Sequence, residues 1–118
     1  MSGAVTQARR ALGIGGEEAV AAWYQERGYR VLDRNWRCRD GELDLVLRRG
    51  GLVVFCEVKT RTSDAFGLPA EAVGRQKQQK IRLLAARWLD ESPSPAAEIR
   101  FDVASVLAAE IEVIQAAF

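Results

Sequence analysis

The stretch Gly41-Glu42-Leu43-Asp44-Leu45-Val46-Leu47-Arg48-Arg49-Gly50-Gly51-Leu52-Val53-Val54-Phe55-Cys56-Glu57-Val58-Lys59 reads as two strands folded back on each other. Leucine, valine and phenylalanine crowd both arms, and Gly50-Gly51 offers the φ > 0 positions that a two-residue hairpin turn demands. With those glycines as the loop, Arg49 faces Leu52, Val46 faces Phe55 and Asp44 faces Glu57. Side chains on a strand alternate faces, so Asp44 and Val46 are expected on one face with Val53, Phe55, Glu57 and Lys59. Two acids and a lysine would converge there.

Like charges directly opposite one another destabilise a strand pair, so a cation is expected between Asp44 and Glu57. Opposed Cβ atoms lie about 4.5 to 5.5 Å apart, which lets both carboxylates reach one hard cation with oxygen ligands at about 2.1 Å. Mg2+ fits that description, with Mn2+ as a second candidate. Lys59 stands two residues past Glu57, roughly 6.5 Å further along the same face. It is placed to act on whatever the ion binds.

Asp44 on one strand followed by Glu57-Val58-Lys59 on the next resembles the signature of the PD-(D/E)XK nuclease superfamily, whose metal-dependent members cleave phosphodiesters. More of the chain is similar to one branch of it. Gly16-Glu17, Gly28-Tyr29, Arg34-Asn35-Trp36-Arg37, Gly41-Glu42-Leu43-Asp44-Leu45, Glu57-Val58-Lys59-Thr60-Arg61, Gly67, Pro69, Glu71-Ala72-Val73, Lys77, Lys80-Ile81 and Arg100-Phe101-Asp102-Val103 resemble the bacterial YraN-like family, a distant relative of archaeal Holliday-junction resolvases. The resemblance runs from Gly16 to the end of the chain. It implies a restriction-endonuclease-like fold, DNA as the substrate with branched DNA as its class, and a site role for Glu17 as a metal or water ligand. Members often carry a histidine near the C-terminus; this chain has none, so nothing here takes that residue's part.

At 118 residues the chain is expected to form one nuclease-like domain, 1–118, with room for a single core. Residues 1 to 15 are small and polar and are expected to fray. Hydrophobic residues make up 48% and charged ones 28%, the balance of a folded, soluble protein and not of a disordered one. No apolar run approaches the roughly 20 residues of a membrane helix, and the first residues lack a signal peptide's apolar region. No membrane partner and a cytoplasmic location are expected. Cys38 and Cys56 show no paired metal-ligand spacing and histidine is absent, which excludes a zinc site. Cys56 falls on the face opposite Glu57, as a small apolar filler.

The net charge of +1 does not by itself advertise a nucleic-acid partner. Its distribution says more. Arg27, Arg30, Arg34, Arg37 and Arg39 crowd one stretch, and Arg75, Lys77, Lys80, Arg82 and Arg87 crowd another that holds no acid. Such strips can track phosphates, although a charged helix face is as often simply solvated.

From Gly16 the pattern turns helical, with Val20, Trp23, Tyr24 and Arg27 at spacings of three and four and Gly28 as the C-terminal glycine. Glu17 lies on the inward side of the first turn, where a helix N-terminus also favours an ordinary acid. Tyr29 to Trp36 reads as a first strand; Trp36 either covers the core edge or stacks on a base. Glu42 shares the face of Asp44, as a supporting acid or a solvated strand end. Thr60 to Leu68 is a polar loop leaving the strand of Glu57, with Arg61 its phosphate ligand. A helix from Gly74 to about Glu91 buries Ile81, Leu84, Ala85, Trp88 and Leu89. Lys77 and Lys80 border that stripe in its first turns, either on a phosphate or in solvent. Ile99 to Val103 and Ile111 to Ile114 complete the strands, and Asp102 pairs with Arg100 at the sheet end or supports the site.

These readings converge on an α/β domain, a mixed central sheet of about five strands flanked by helices with the antiparallel hairpin at its centre. The expected function is metal-dependent hydrolysis of nucleic-acid phosphodiesters. Asp44, Glu57 and Glu17 would hold the ion, and Lys59 would orient water or meet charge on the phosphoryl oxygens. Arg37, Arg61, Lys77 and Lys80 would contact nucleic acid, and a two-fold homodimer would suit a junction. The alternative is a nucleic-acid-binding module of the same fold with little or no catalysis. A third reading is an assembly protein whose acids merely pair with Lys59.

Overall fold

The computed structural model describes residues 14–61, 73–108 and 110–118. Expectations for residues 1–13 and 62–72, including the fraying start and the polar loop, lie outside the described residues. Helix α1 (Ile14–Gln25) leads into β1 (Arg30–Cys38), β2 (Gly41–Arg49) and β3 (Leu52–Arg61); α2 (Arg75–Glu91), β4 (Glu98–Leu107) and β5 (Glu110–Ile114) follow. The strands form one sheet in the order β1-β2-β3-β4-β5. Neighbours run antiparallel except β3 and β4, which are parallel. A parallel pair needs a crossover, and α2 supplies it. The mixed five-stranded sheet flanked by helices is thus borne out, and it is compatible with a restriction-endonuclease-like fold.

The central hairpin takes its expected register through its apolar half, with Arg49 opposite Leu52 and Val46 opposite Phe55. Only Gly50 adopts a positive φ, 60°, the pattern of a primed turn with glycine at its first central position. Gly51 is a glycine for another reason. A Cβ there would stand 3.0 Å from the Ala97 Cβ, because the N–H groups of Ala97 and Glu98 donate to the Gly51 carbonyl at 2.9 and 3.2 Å.

Alternation along β2 and β3 builds a core on each face of the sheet. On one side α1 contributes Val20, Ala21 and Tyr24, packed on Leu45, Leu47, Val54, Cys56, Ala104 and Val106. On the other α2 contributes Ile81, Leu84, Ala85 and Trp88, packed on Val46, Val53, Phe55, Phe101 and Val103. Cys56 is the buried apolar filler expected of it. Gly28 ends α1 with φ 89°, while Gly28 and Tyr29 N–H groups donate back to the Gln25 and Tyr24 carbonyls at 3.1 Å each. That is a Schellman closure.

Among the described residues Glu57, Asp102 and Ser105 are the buried polar ones, and Asp102 of β4 is wholly buried. Arg100 donates to both of its oxygens at 2.8 and 2.9 Å, Tyr24 Oη–H donates at 2.6 Å and the Ala116 N–H at 3.0 Å. Every part of the carboxylate is therefore satisfied. It ties α1, β4 and the C-terminal turn together, and the Arg100 pairing read from the sequence is present. Among the described residues, no helix is long and apolar enough to cross a membrane.

Candidate functional site

The hairpin opens where its carboxylates begin. Pairing of β2 with β3 runs to Leu45 opposite Cys56 and ends there. One step on, the Val58 N–H donates to Asp44 Oδ2 at 2.9 Å. Leu43 packs on the α2 side and Leu45 on the α1 side, although residues two apart on a regular strand share a face. Strict alternation, which put Asp44 on the face of Val46 and opposite Glu57, therefore fails at this step. The facing stretch of β1 is irregular at the same level. Between the pairs Arg34–Leu45 and Trp36–Leu43, Asn35 turns to φ 50°, a left-handed conformation that asparagine tolerates better than most residues.

The opened strand ends let acids from two elements gather. Glu17 of α1 and Glu42 and Asp44 of β2 each offer a carboxylate oxygen, all within 4.8 Å of one another. Burial raises the Glu17 pKa, a hydrogen bond from the Asn35 side chain opposes this, and the charges of Asp44 and Glu42 raise it further. Burial likewise raises Asp44; the Val58 N–H lowers it, Glu42 raises it, and Lys77 and Lys59 lower it. A site in which ionised acids are costly is one that a cation would relieve. Its donors are all oxygen and the chain has no histidine, a set suited to Mg2+ or Mn2+ and unsuited to zinc or copper.

Glu57 stands apart from that triad. Its side chain is 7% exposed and its Oε1 lies 3.4 Å from the Lys77 ammonium on the first turns of α2. Burial and the nearby Asp44 charge push its carboxyl up to about 7, against the pull of Lys77 and Lys59. Glu57 is thus poised between charged and neutral near physiological pH. Both lysines act electrostatically on both acids, so Asp44, Glu57, Lys59 and Lys77 make one electrostatic unit beside the Glu17–Glu42–Asp44 triad.

The remaining sequence-predicted residues fall as follows. Arg37 donates from Nε to Glu42 Oε2 at 2.8 Å and is otherwise exposed, at the rim of the triad. Lys80 is exposed one turn beyond Lys77. Arg61 closes β3, and its side chain lies outside the described set. Two participants were missed or undervalued. Glu42 belongs to the triad itself, a role that its two-residue spacing from Asp44 was the signal for. Asn35 lowers the Glu17 pKa and takes a left-handed φ in β1, and only an asparagine followed by Trp36-Arg37 hinted at it.

Comparison with known proteins agrees with the sequence resemblance at family level. A model described as "Uncharacterised protein family UPF0102" matches residues 16–106. A UPF0102 protein of Beutenbergia cavernae is 54% identical over 101 residues, covering 86% of this chain and 86% of its own. One from Frankia alni is 55% identical over 100 residues, covering 85% and 83%. One from Nocardia farcinica is 52% identical over 99 residues, covering 84% and 78%.

Proposed function

This chain belongs to the UPF0102 family, the YraN family of the sequence resemblance, and we propose that it is a Mg2+-dependent endonuclease that hydrolyses nucleic-acid phosphodiester bonds. The observation that carries the reading is the gathering of Glu17, Glu42 and Asp44 within 4.8 Å at the point where the central hairpin opens. Three acids drawn from two elements repel one another there, Arg37 offsetting only part of this from the rim at Glu42, and an ion would relieve the rest. Asp44 is the anchor, held by the Val58 N–H. Glu17 and Glu42 complete an oxygen shell, and Glu57 is the fourth acid beside it.

When bound, such an ion polarises the phosphate and makes water acidic enough to attack. The chain's own residues do the rest. Glu57, with its carboxyl near 7, can take a proton from an incoming water and hold it at its own oxygen. Lys59, two residues on, meets negative charge developing on the phosphoryl oxygens. Lys77, half-exposed beside the buried Glu57, presents with Lys80 ammonium groups from the start of α2 to the flanking phosphates. Arg37 stands at the rim beside Glu42, where a phosphate can compete for it.

DNA is the substrate and branched DNA its class on the strength of the family resemblance, with a two-fold homodimer as the assembly that would address two strands. Glu57 and Lys59 weigh against the binding-module alternative. Phosphate binding alone gains nothing from a buried acid whose ionisation is costly. Labelled four-way-junction and linear DNA incubated with the protein and Mg2+ tests the reading. Cleavage that needs the ion and is abolished in Asp44→Asn supports it; DNA binding with no cleavage in Mg2+ or Mn2+ favours the module.

A further inference from the structure

A cavity lies at the other end of α2. Where β1 and β2 run toward the hairpin turn, this cavity of about 370 Å3 opens between the sheet and the Ser92 to Ser94 turn that follows the helix, within the size range of small-molecule sites. Two indoles, Trp36 and Trp88, form its apolar wall. Its polar groups are Arg30, Arg48, Asp33 and Glu91.

The walls are preformed. Trp88 Nε1–H donates to Asp33 Oδ2 at 3.0 Å, fixing ring and carboxylate together, and the Trp88 ring packs edge-on against Phe55 at 5.8 Å. Arg48 donates to the Gly50 and Pro95 carbonyls at 2.8 and 3.1 Å, which sets its guanidinium across the floor. Trp36 is half-buried, its body against the α2-side core.

Two arginines against two acids leave the cavity without a net sign, so a small anion gains little there. A planar ring that carries both donors and acceptors gains a great deal. An indole offers a stacking face, a carboxylate accepts from ring or exocyclic N–H groups, and a guanidinium donates to carbonyl oxygens and ring nitrogens. We propose that this cavity binds a nucleobase, stacked on Trp36 with its polar edge between Asp33 and Arg30. Two sources carry that chemistry: a free mononucleotide, and an unpaired base within a single strand. The assignment is independent of the carboxylate site and stands whether or not that site cuts.

Isothermal titration of the four ribonucleoside monophosphates, and of a short single-stranded oligonucleotide, into the wild-type protein and into Trp36→Leu and Asp33→Asn tests it. The expected result is saturable binding that falls roughly tenfold or more in Trp36→Leu and in Asp33→Asn. Asparagine at 33 still accepts from Trp88, so that variant keeps the wall. Saturation-transfer NMR from the Trp36 indole to the base protons gives a readout that does not depend on either variant folding. Binding of mononucleotides identifies the free nucleotide as the source, and binding of the oligonucleotide alone identifies the unpaired base. No saturable binding of any probe up to about 10 mM, or affinity untouched by both cavity variants, overturns the proposal.

Discussion

Val58 donates its backbone N–H to the Asp44 carboxylate at 2.9 Å, across fourteen residues of sequence, at the step where β2 and β3 cease to pair. A side chain thereby takes a proton donor that a neighbouring carbonyl would take in a continuous ladder. The same carboxylate lies within 4.8 Å of Glu17 and Glu42 oxygens. Asp44 thus helps to hold the hairpin open while carrying the charge that makes the opening costly.

The two roles separate by substitution. Asn at position 44 keeps an oxygen for Val58 and sheds the charge, so Asp44→Asn is expected to be as stable as the wild type or more so in the absence of metal. Asp44→Ala strands the Val58 N–H and is expected to lose about 1–3 kcal/mol relative to Asp44→Asn. Urea denaturation of the three proteins measures this. A structural ion pair with Lys59 would instead make Asp44→Asn cost about 3–5 kcal/mol.

Stability should fall as pH rises. The Glu57 carboxyl stands near 7 in the folded protein against an ordinary 4.5, because burial and Asp44 disfavour its charge; Glu17 and Asp44 are raised as well. An acid with a raised folded pKa binds protons more tightly folded than unfolded. Its contribution is fully present below pH 4.5 and lost as pH rises through about 7. Between pH 5 and 8 the metal-free protein is expected to lose on the order of 2–3 kcal/mol from Glu57. Denaturation across that range checks it, and Glu57→Gln should flatten the profile.

Lys77 is the countercharge of Glu57, at 3.4 Å. Lys77→Met is expected to destabilise the protein by about 1–2 kcal/mol at pH 8, less than a wholly buried pair because the lysine is half-exposed. At pH 5 Glu57 is largely neutral and the cost should be smaller, with Asp44 the remaining partner of Lys77. Thermal melts at the two pH values distinguish this from a packing defect, which would cost the same at both.

On the strand beside that of Glu57, opposite Cys56 in register, Asp102 depends on its partners in the core. Tyr24→Phe removes a 2.6 Å hydrogen bond to it and is expected to cost about 1–2 kcal/mol. Arg100→Met leaves the fully buried carboxylate without its cation and is expected to cost about 3–5 kcal/mol. Denaturant midpoints measure both, and neither variant should alter affinity for divalent ions.

The parts of this fold that local chemistry controls were legible in the sequence. Gly50-Gly51 predicted the turn and its register, Gly28 the end of α1, and the Ile81-Leu84-Ala85-Trp88 spacing the buried face of α2. What escaped was set by neighbours far along the chain. The change of face between Leu43 and Leu45 falls where Asn35 of the adjacent strand turns left-handed and the β2–β3 ladder ends, neither of which periodicity in β2 reveals. Glu42 meets Glu17 across two elements, twenty-five residues apart in sequence. Lys77 reached Glu57 because the crossover places the start of α2 over the end of β3, a matter of topology and not of spacing.

Calorimetric titration of Mg2+ and Mn2+ into the metal-free wild type, Glu42→Gln and Asp44→Asn separates a metal site from a bare cluster of acids. The wild type is expected to bind the ions through its carboxylates, Glu42→Gln to bind them more weakly, and Asp44→Asn not to bind them. A wild type that takes up neither ion, even with DNA present, or an Asp44→Asn that binds as the wild type does, would contradict the metal site.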